Sequence, residues 1–522
     1  MSFARYEFII KKMAVIMLAL GIILHIIPYF VEHSLFIDEA MVASTIMTRD
    51  LGNLVLSPMD YGQSAPIGYL YIVKLCTLVF GVSKVSLRIW SLICLFGTCG
   101  LMYYILDKLY HVRRAAYFTA IFSLLPFYIS YSSQVKQYTS ECMFVLVVVI
   151  LFWYYFHARI SLWCLCVICS IVIWFSFVPV FFIVGGMLLV VKDIFKNKSF
   201  LNFMPCLLPA LSFAVYYFFW LTGTEGNAGA KGFWDLLAFP LIPSSLDDIV
   251  LIVKMVRQSI GPQLKHMCVL YILAAGYTLY SWRKDRDHKA SFYILGLVIL
   301  LVASAMGYYP IAARLMSFFA VLVLILAAVS LDEYWHRLEL KWQYSRKKLA
   351  VLMSLATILL VLPLGYTAKE MVRGNLIFWP ETEIVQNLAY LEKNKKPSDM
   401  IYVYWGAQPS YFFEKGFPYG GPNNWEMAKI GTITDEYIWG KALNEFYYRK
   451  PYAYDGHPRE DNIQHDIENI KRYDSVYLFT SHMNGEKDVY WQLFLNELKA
   501  YGDIEIVSVD HDTYLYHFQR RV

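Results

Sequence analysis

Apolar runs of membrane length recur through the first two thirds of this chain, near 9–30, 87–106, 114–131, 139–157, 200–221, 266–282, 290–308, 312–330 and 347–366. Each approaches the roughly 20 helical residues needed to cross about 30 Å of hydrocarbon, where backbone polar groups must be satisfied within the segment. Between 160 and 191, "SLWCLCVICSIVIWFSFVPVFFIVGGMLLVV" is too long for one crossing and reads as two short helices broken near Ser176 to Pro179. About eleven transmembrane helices result. With 58% of 522 residues apolar and 17% charged, the chain lies outside the range of soluble domains, so the reading is a polytopic α-helical membrane protein. A net charge of +5 without a basic, aromatic-interleaved stripe gives no case for nucleic acid.

Basic residues assign the sides of the membrane. "DKLYHVRR" (107–114), Arg159, "KDIFKNK" (192–198), "RKDRDHK" (283–289) and "KWQYSRKK" (341–348) fall on one side of a single alternating thread, with Arg5, Lys11 and Lys12 at the N-terminus. The positive-inside rule makes that side cytoplasmic. The first apolar run has a basic start but no small-residue cleavage site, and reads as a retained span. Counting "APIGYLYIVKLCTLVFG" (65–81) as a crossing would invert every later loop. Lys74 sits in its middle, so it reads as an interfacial or re-entrant helix with Pro66 near its first turn.

Two domains follow, a transmembrane domain over 1–366, with a long first external loop at 31–86, and a polar region over 367–522. In the latter, "MIYVYWG", "SVYLFTS", "IEIVSV" and "TYLYHF" look like strands, alternating with helix-like "ETEIVQNLAYLEKNKK", "NIQHDIENIKRY" and "VYWQLFLNELKAYG". This predicts a small extracytoplasmic α/β domain. The cysteines lie in or beside apolar segments, and no disulfide framework or zinc site is indicated; "CLCVIC" reads as hydrophobic packing.

On this topology the ionisable residues near span boundaries share the outer face. The first loop carries Asp38 and Glu39 in "FIDEA", Asp60 in "SPMDYGQSAP", and Arg88 at its far end. "SYSSQVKQYTSE" (130–141) adds Lys136, Gln137, Tyr138 and Glu141, and "GYYPIAARLMSFF" (307–319) adds Tyr309 and Arg314, the latter one turn into a span. Each has a plain structural use: Asp38 as a helix cap, Glu39 at a positive helix end, Arg88 and Lys136 as snorkelling cations, Asp60 as a loop aspartate. Together they make a polar site at one leaflet, since ionisable groups at membrane depth face a cavity or one another. Cations there suit a lipid phosphate and the charge it gains on leaving. A carboxylate suits deprotonation of an attacking hydroxyl or amine. No P-loop or dinucleotide fingerprint is present. A transporter or flippase for a lipid-linked glycan is the competing reading, but it calls for internal repeats and broken helices near the midplane, and no repeat is found.

The order of "FIDEA", "QSAPIGYLYIVKL", "SKVSLRIWSLI", "YSSQVKQYTSE" and "YYPIAARLMSFF" resembles the GT-C superfamily of membrane glycosyltransferases, in the bacterial branch similar to protein O-mannosyltransferases and the lipid A aminoarabinose transferase. The likeness covers about residues 1 to 330. It implies inverting transfer of a sugar (hexosyl or pentosyl) from a polyprenyl-phosphate donor, on the outer face of the bacterial inner membrane, to a cell-envelope glycan, lipid or protein. It maps the catalytic acid onto Asp38, with Glu39 and Asp60 as supporting acids, and donor-phosphate binding onto Arg88, Arg314 and, more loosely, Lys136; Tyr138 and Tyr309 are further candidates. Glu39, about 100° around a helix from Asp38, is expected to orient the fold or a cation. Some members of the superfamily use a divalent ion, for which Asp38, Glu39 and Asp60 could supply oxygens; with cations already at the phosphate, no metal is obligatory.

Overall fold

The computed structural model describes residues 3–31, 33–56, 59–60, 63–196, 200–221, 243, 245–264, 267, 269–283, 289–373, 384–404, 406–416, 437–439, 459–481 and 489–521. They fall into two compact units. One comprises Met1–Phe30, Leu51–Pro58 and Gly62–Arg373; the other comprises Val31–Asp50, Met59–Tyr61 and Gly374–Val522.

The first unit is helical. Its elements include α1 (Phe3–Ile26), and its partners are packed as a bundle; among the described residues six helices are long and apolar enough to span a membrane, and four shorter apolar helices accompany them. The run at 114–131 forms two pieces, Ala115–Ser123 and Pro126–Tyr131. Pro126 starts the second piece where its missing N–H costs nothing, and Thr367 donates to the Leu124 carbonyl left at the break (2.8 Å). The run at 160–191 also divides as expected, into Leu162–Phe175 and Pro179–Lys196. The segment at 65–81 is a helix of 14 residues, Ile67–Phe80, about 21 Å long, and ends at Gly81, whose φ of 77° favours glycine. Leu75, Leu78, Val79 and Phe80 on it are exposed, as suits a helix lying against lipid.

Two features depart from the expected layout. Leu246–Leu264 is a helix that the hydropathy reading passes over, because Asp247, Asp248, Lys254 and Arg257 interrupt its apolar pattern; Met255, Ser259 and Gln263, at a spacing of four, form its buried stripe. Arg114, the last residue of the 107–114 charge cluster, is buried, which its place in a basic loop did not foretell. Its Nη1 donates to Asp332 Oδ1 (2.7 Å), its other terminal nitrogen donates to Glu339, and its guanidinium lies 4.8 Å over the Trp335 ring. Asp332, Trp335 and Glu339 belong to Ser317–Trp342, and Trp335 Nε1 donates to the Tyr6 hydroxyl on α1 (2.7 Å). Close backbone packing adds to this: Gly21 on α1 faces Ser123, and Gly185 faces Gly296, where a side chain would collide.

The second unit holds a five-stranded mixed sheet in the order β2-β1-β3-β5-β4, formed by β1 (Met400–Val403), β2 (Tyr437–Trp439), β3 (Ser475–Ser481), β4 (Gly502–Asp510) and β5 (Thr513–Arg520). β1 is parallel to β2 and β3, while β5 runs antiparallel to β3 and β4. Side chains alternate between two cores, as the two-residue strand period requires. Met400, Tyr402, Val476, Leu478 and Phe518 pack with Ile463, Ile467, Trp491 and Phe494 on one face; Ile401, Val403, Tyr477, Phe479 and Leu515 pack with Leu388, Leu391, Tyr411 and Phe412 on the other. The four strands and three helices expected from the sequence are all present, and β2 and the helix Gln408–Lys415 are additional.

The first-loop helix α2 (Ile37–Thr48) belongs to this second unit. The chain leading into it is pinned from both sides of β1: Ser34 Oγ accepts from the backbone N of Ile384 (3.0 Å), and Ser410 Oγ donates to the Leu35 carbonyl (2.9 Å).

Candidate functional site

In the second unit the acidic candidates cluster around α2. The chain enters α2 at Phe36, so Asp38 and Glu39 lie in the first turn. Glu39 is buried, and its carboxylate accepts from the Phe36 N–H (3.1 Å), satisfying an orphan donor at the positive end of the helix. Asp38, one residue earlier and partly exposed, points another way around the helix. Thr45 stands on the Asp38 face two turns along, and its hydroxyl accepts from the backbone N of Asp60 (3.0 Å).

Asp60 is buried and receives Arg49 on Oδ1; Oδ2 has no hydrogen-bond partner among the described residues. Burial raises its pKa above the ordinary carboxylate range, and Arg49 and the Thr45 contact oppose the rise without cancelling it. The native state therefore holds this proton to higher pH than the unfolded chain does, and the group contributes falling stability as pH rises from the ordinary carboxylate pKa to the raised one. Arg49→Met, by removing the largest opposing influence, is expected to widen that window upward and steepen the loss. Thermal unfolding in detergent between pH 4 and about pH 8 should show the variant losing more stability than wild type toward higher pH; parallel profiles would contradict the assignment.

These commitments bear on a divalent cation. Glu39 is engaged as a cap and Asp60 with Arg49, and among the described residues no three His, Cys, Asp or Glu side chains converge. The acidic set does not fit a cation cage, and no step is routed through one.

The basic candidates lie in the first unit, on segments tied together by hydrogen bonds. Arg88 is buried in the first turns of the helix Lys84–Tyr104. The Tyr29 hydroxyl is within donating distance of the Arg88 carbonyl (2.8 Å) and the Ser132 carbonyl (2.7 Å). Ser91, three residues beyond Arg88 and so on a neighbouring part of the same face, donates to the Gln134 carbonyl (2.6 Å) and approaches that of Lys136 (3.2 Å). Lys136 is buried in the turn between Pro126–Tyr131 and the next helix, α3 (Tyr138–Phe156), and its Nζ donates to Gln63 Oε1 (2.8 Å). The two cations thus sit on segments latched to each other.

Arg314 joins them from a third segment. It does not lie one turn inside a span: the helix begins at Ser317, and Arg314 occupies the irregular turn just before it, partly exposed. Backbone carbonyls hold this turn in place. Ile311 accepts from Ser259 Oγ (2.6 Å), Ala313 from Gln263 Nε2 (3.0 Å) and Leu315 from the Tyr309 hydroxyl (2.8 Å). Ser317 then donates to the Tyr138 carbonyl (3.2 Å), fastening the Arg314 turn to the start of α3 beside Lys136. Tyr138 itself packs edge-on against Tyr131 at 5.2 Å.

The structure therefore brings Arg88, Lys136, Arg314, Tyr138 and Tyr309 onto connected segments of one unit, and Asp38, Glu39 and Asp60 into the other. Sequence reasoning missed the groups that hold them: Arg49, Tyr29, Ser91, Ser259, Gln263 and Ser317. Gln63, Ser91 and Ser317 lay inside motifs already singled out, "QSAP", "SKVSLRIWSLI" and "YYPIAARLMSFF", though with no role read for them; the others have no local signal, because each acts on a partner distant along the chain.

The apolar helices of membrane length, together with the small mixed sheet of the C-terminal region, define a polytopic helical membrane protein with an α/β unit. The solved structures of ArnT from Cupriavidus metallidurans have this fold: the apo form and the form bound to undecaprenyl phosphate each match at a TM-score of 0.54 over 97% of this chain and 98% of that chain, at 10% identity. No protein-family model matches the chain, and no curated protein sequence does.

Proposed function

We propose that this protein is an inner-membrane glycosyltransferase that moves a sugar from a polyprenyl-phosphate donor to an extracytoplasmic acceptor, a cell-envelope glycan, lipid or protein. The observation that carries this reading is the latched set of cations, Arg88, Lys136 and Arg314, in a fold whose ArnT counterpart is known bound to undecaprenyl phosphate. The basic side chains bind the lipid phosphate and stabilise the negative charge it gains as the glycosidic C–O bond breaks. Asp38 accepts the proton of the acceptor hydroxyl or amine as that group attacks the anomeric carbon from the opposite face. One displacement inverts the configuration, and the products are the glycosylated acceptor and polyprenyl phosphate. Glu39 keeps α2 capped, and Asp60 with Arg49 braces the loop behind it. The distribution of basic loops supports a cytoplasmic N-terminus, with the reaction and the α/β unit on the outer side.

The test uses full-length protein in lipid nanodiscs and a panel of radiolabelled polyprenyl-phosphate monosaccharides. Release of polyprenyl phosphate from one or a few donors is expected, with Arg314→Ala slowing release by about 10²–10³-fold, the loss typical of removing one charge-stabilising donor. If no donor is consumed while labelled lipid-linked glycan crosses proteoliposome bilayers, the protein is a flippase instead.

A further inference from the structure

Glu141 is the buried group that the proposed chemistry leaves unused. It sits in the first turns of α3, five residues from Lys136, and is fully buried. Neither carboxyl oxygen has a hydrogen-bond partner among the described residues. Gln137 stands one turn earlier on the same face, with the Glu141 N–H donating to its carbonyl (3.0 Å), and its buried side-chain Oε1 also lacks a partner. Two carboxyl oxygens and one amide oxygen are therefore buried one helical turn apart without a hydrogen-bond partner among the described residues.

The neighbours do not supply one. The Tyr309 hydroxyl feels the Glu141 carboxyl electrostatically but gives its proton to the Leu315 carbonyl. Lys136 Nζ donates to Gln63, and Ser317 Oγ donates to the Tyr138 carbonyl. A carboxyl buried in a helical bundle without a partner is costly, by an amount that tertiary packing rarely tolerates without function. Groups of this kind are completed by something that binds.

Position identifies what that is. The cluster occupies the same helix start that carries Lys136 and is fastened to the Arg314 turn, both assigned to the donor phosphate. The group bonded directly to that phosphate is the sugar, and a sugar presents hydrogen-bond donors. We propose that Glu141 and Gln137 form a donor-sugar subsite that accepts hydrogen bonds from one hydroxyl or ammonium substituent of the transferred sugar. The subsite rests on the glycosyltransferase reading and adds to it the feature of the donor that the enzyme selects. A polar site built this way rejects an analogue lacking the matching group far better than an apolar pocket could, because its own acceptors are then left unpaired.

The experiment compares kcat/KM, in nanodiscs, for a donor the protein consumes and for analogues each lacking one hydroxyl or amino substituent. Wild type should lose about 10- to 100-fold on one analogue, the worth of a hydrogen bond to a charged group, and little on the rest. Glu141→Ala and Gln137→Leu should each bring that ratio to within about threefold of unity by losing activity on the parent donor alone. Glu141→Gln should keep the selectivity if the substituent is a hydroxyl and lose it if it is an ammonium, which needs the charge. A structural role would lower activity on every donor equally and leave the ratio at its wild-type value, and that result overturns the subsite. Should Glu141→Ala fail to fold, Gln137→Leu decides the matter alone. Failure of wild type to consume any donor would instead remove the glycosyltransferase reading, and the subsite with it.

Discussion

Asp38→Asn is expected to lower sugar transfer by about 10²–10⁴-fold, the range over which a positioned general base acts, while leaving donor binding near its wild-type level. The amide matches the carboxylate in size but cannot take the acceptor's proton. The variant should also fold, because the Glu39 carboxylate, which accepts from the Phe36 N–H at the helix start, is unchanged. The serines at 34 and 410 that hold the entering chain are untouched. The measurement is single-turnover release of labelled polyprenyl phosphate in nanodiscs, alongside donor-induced thermal stabilisation. Normal turnover by the variant would remove Asp38 from the chemistry. Loss of both turnover and thermal stabilisation would show that the residue binds donor instead of serving as base.

Arg114→Met is expected to destabilise the helical unit by about 3–5 kcal/mol, the cost of removing one partner from a buried ionic cluster. Two carboxylates, Asp332 and Glu339, share this guanidinium at nearly complete burial, and the Arg113 N–H donates to the remaining Asp332 oxygen (3.0 Å). Without the cation both carboxylates stay buried beside each other. The cluster spans α1, the start of Ala115–Ser123 and the C-terminal half of Ser317–Trp342, so its failure separates helices distant in sequence. Unfolding temperature and monodispersity in detergent report the loss. The triple substitution Arg114→Met, Asp332→Leu, Glu339→Leu should recover much of it, since apolar replacements of a whole buried cluster are often neutral or stabilising. A triple variant no better than Arg114→Met would point to the Trp335 stacking as the dominant contribution.

Helices and strands were legible where the signal is local. The strand segments "SVYLFTS" and "TYLYHF" alternate between two cores, a pattern read directly from a period of two. The break near Ser176 to Pro179 follows from length and proline alone. The helix Leu246–Leu264 was not legible, because four charges dilute a buried stripe of only one residue per turn. For the candidate site, the motifs named the segments but not the posture of each residue. Arg314 was placed inside a helix because the segment around it, "AARLMSFF", is otherwise largely apolar, and hydropathy cannot see that the chain at 311–316 is held irregular by Ser259, Gln263 and Tyr309.

Length and hydropathy, properties each segment carries by itself, were enough to determine a multi-span membrane protein with an α/β unit at its C-terminal end, and the order of short motifs was enough to point to the fold that the ArnT structures share. Tertiary structure alone decided the rest. It committed Glu39 to a helix cap and Asp60 to Arg49, assigned α2 to the unit of the sheet, latched three cation-bearing segments together, and left Glu141 and Gln137 without donors. Each of these outcomes depends on which groups lie opposite once the chain is packed, and a buried polar side chain is satisfied or left wanting by partners that sequence neighbours do not reveal.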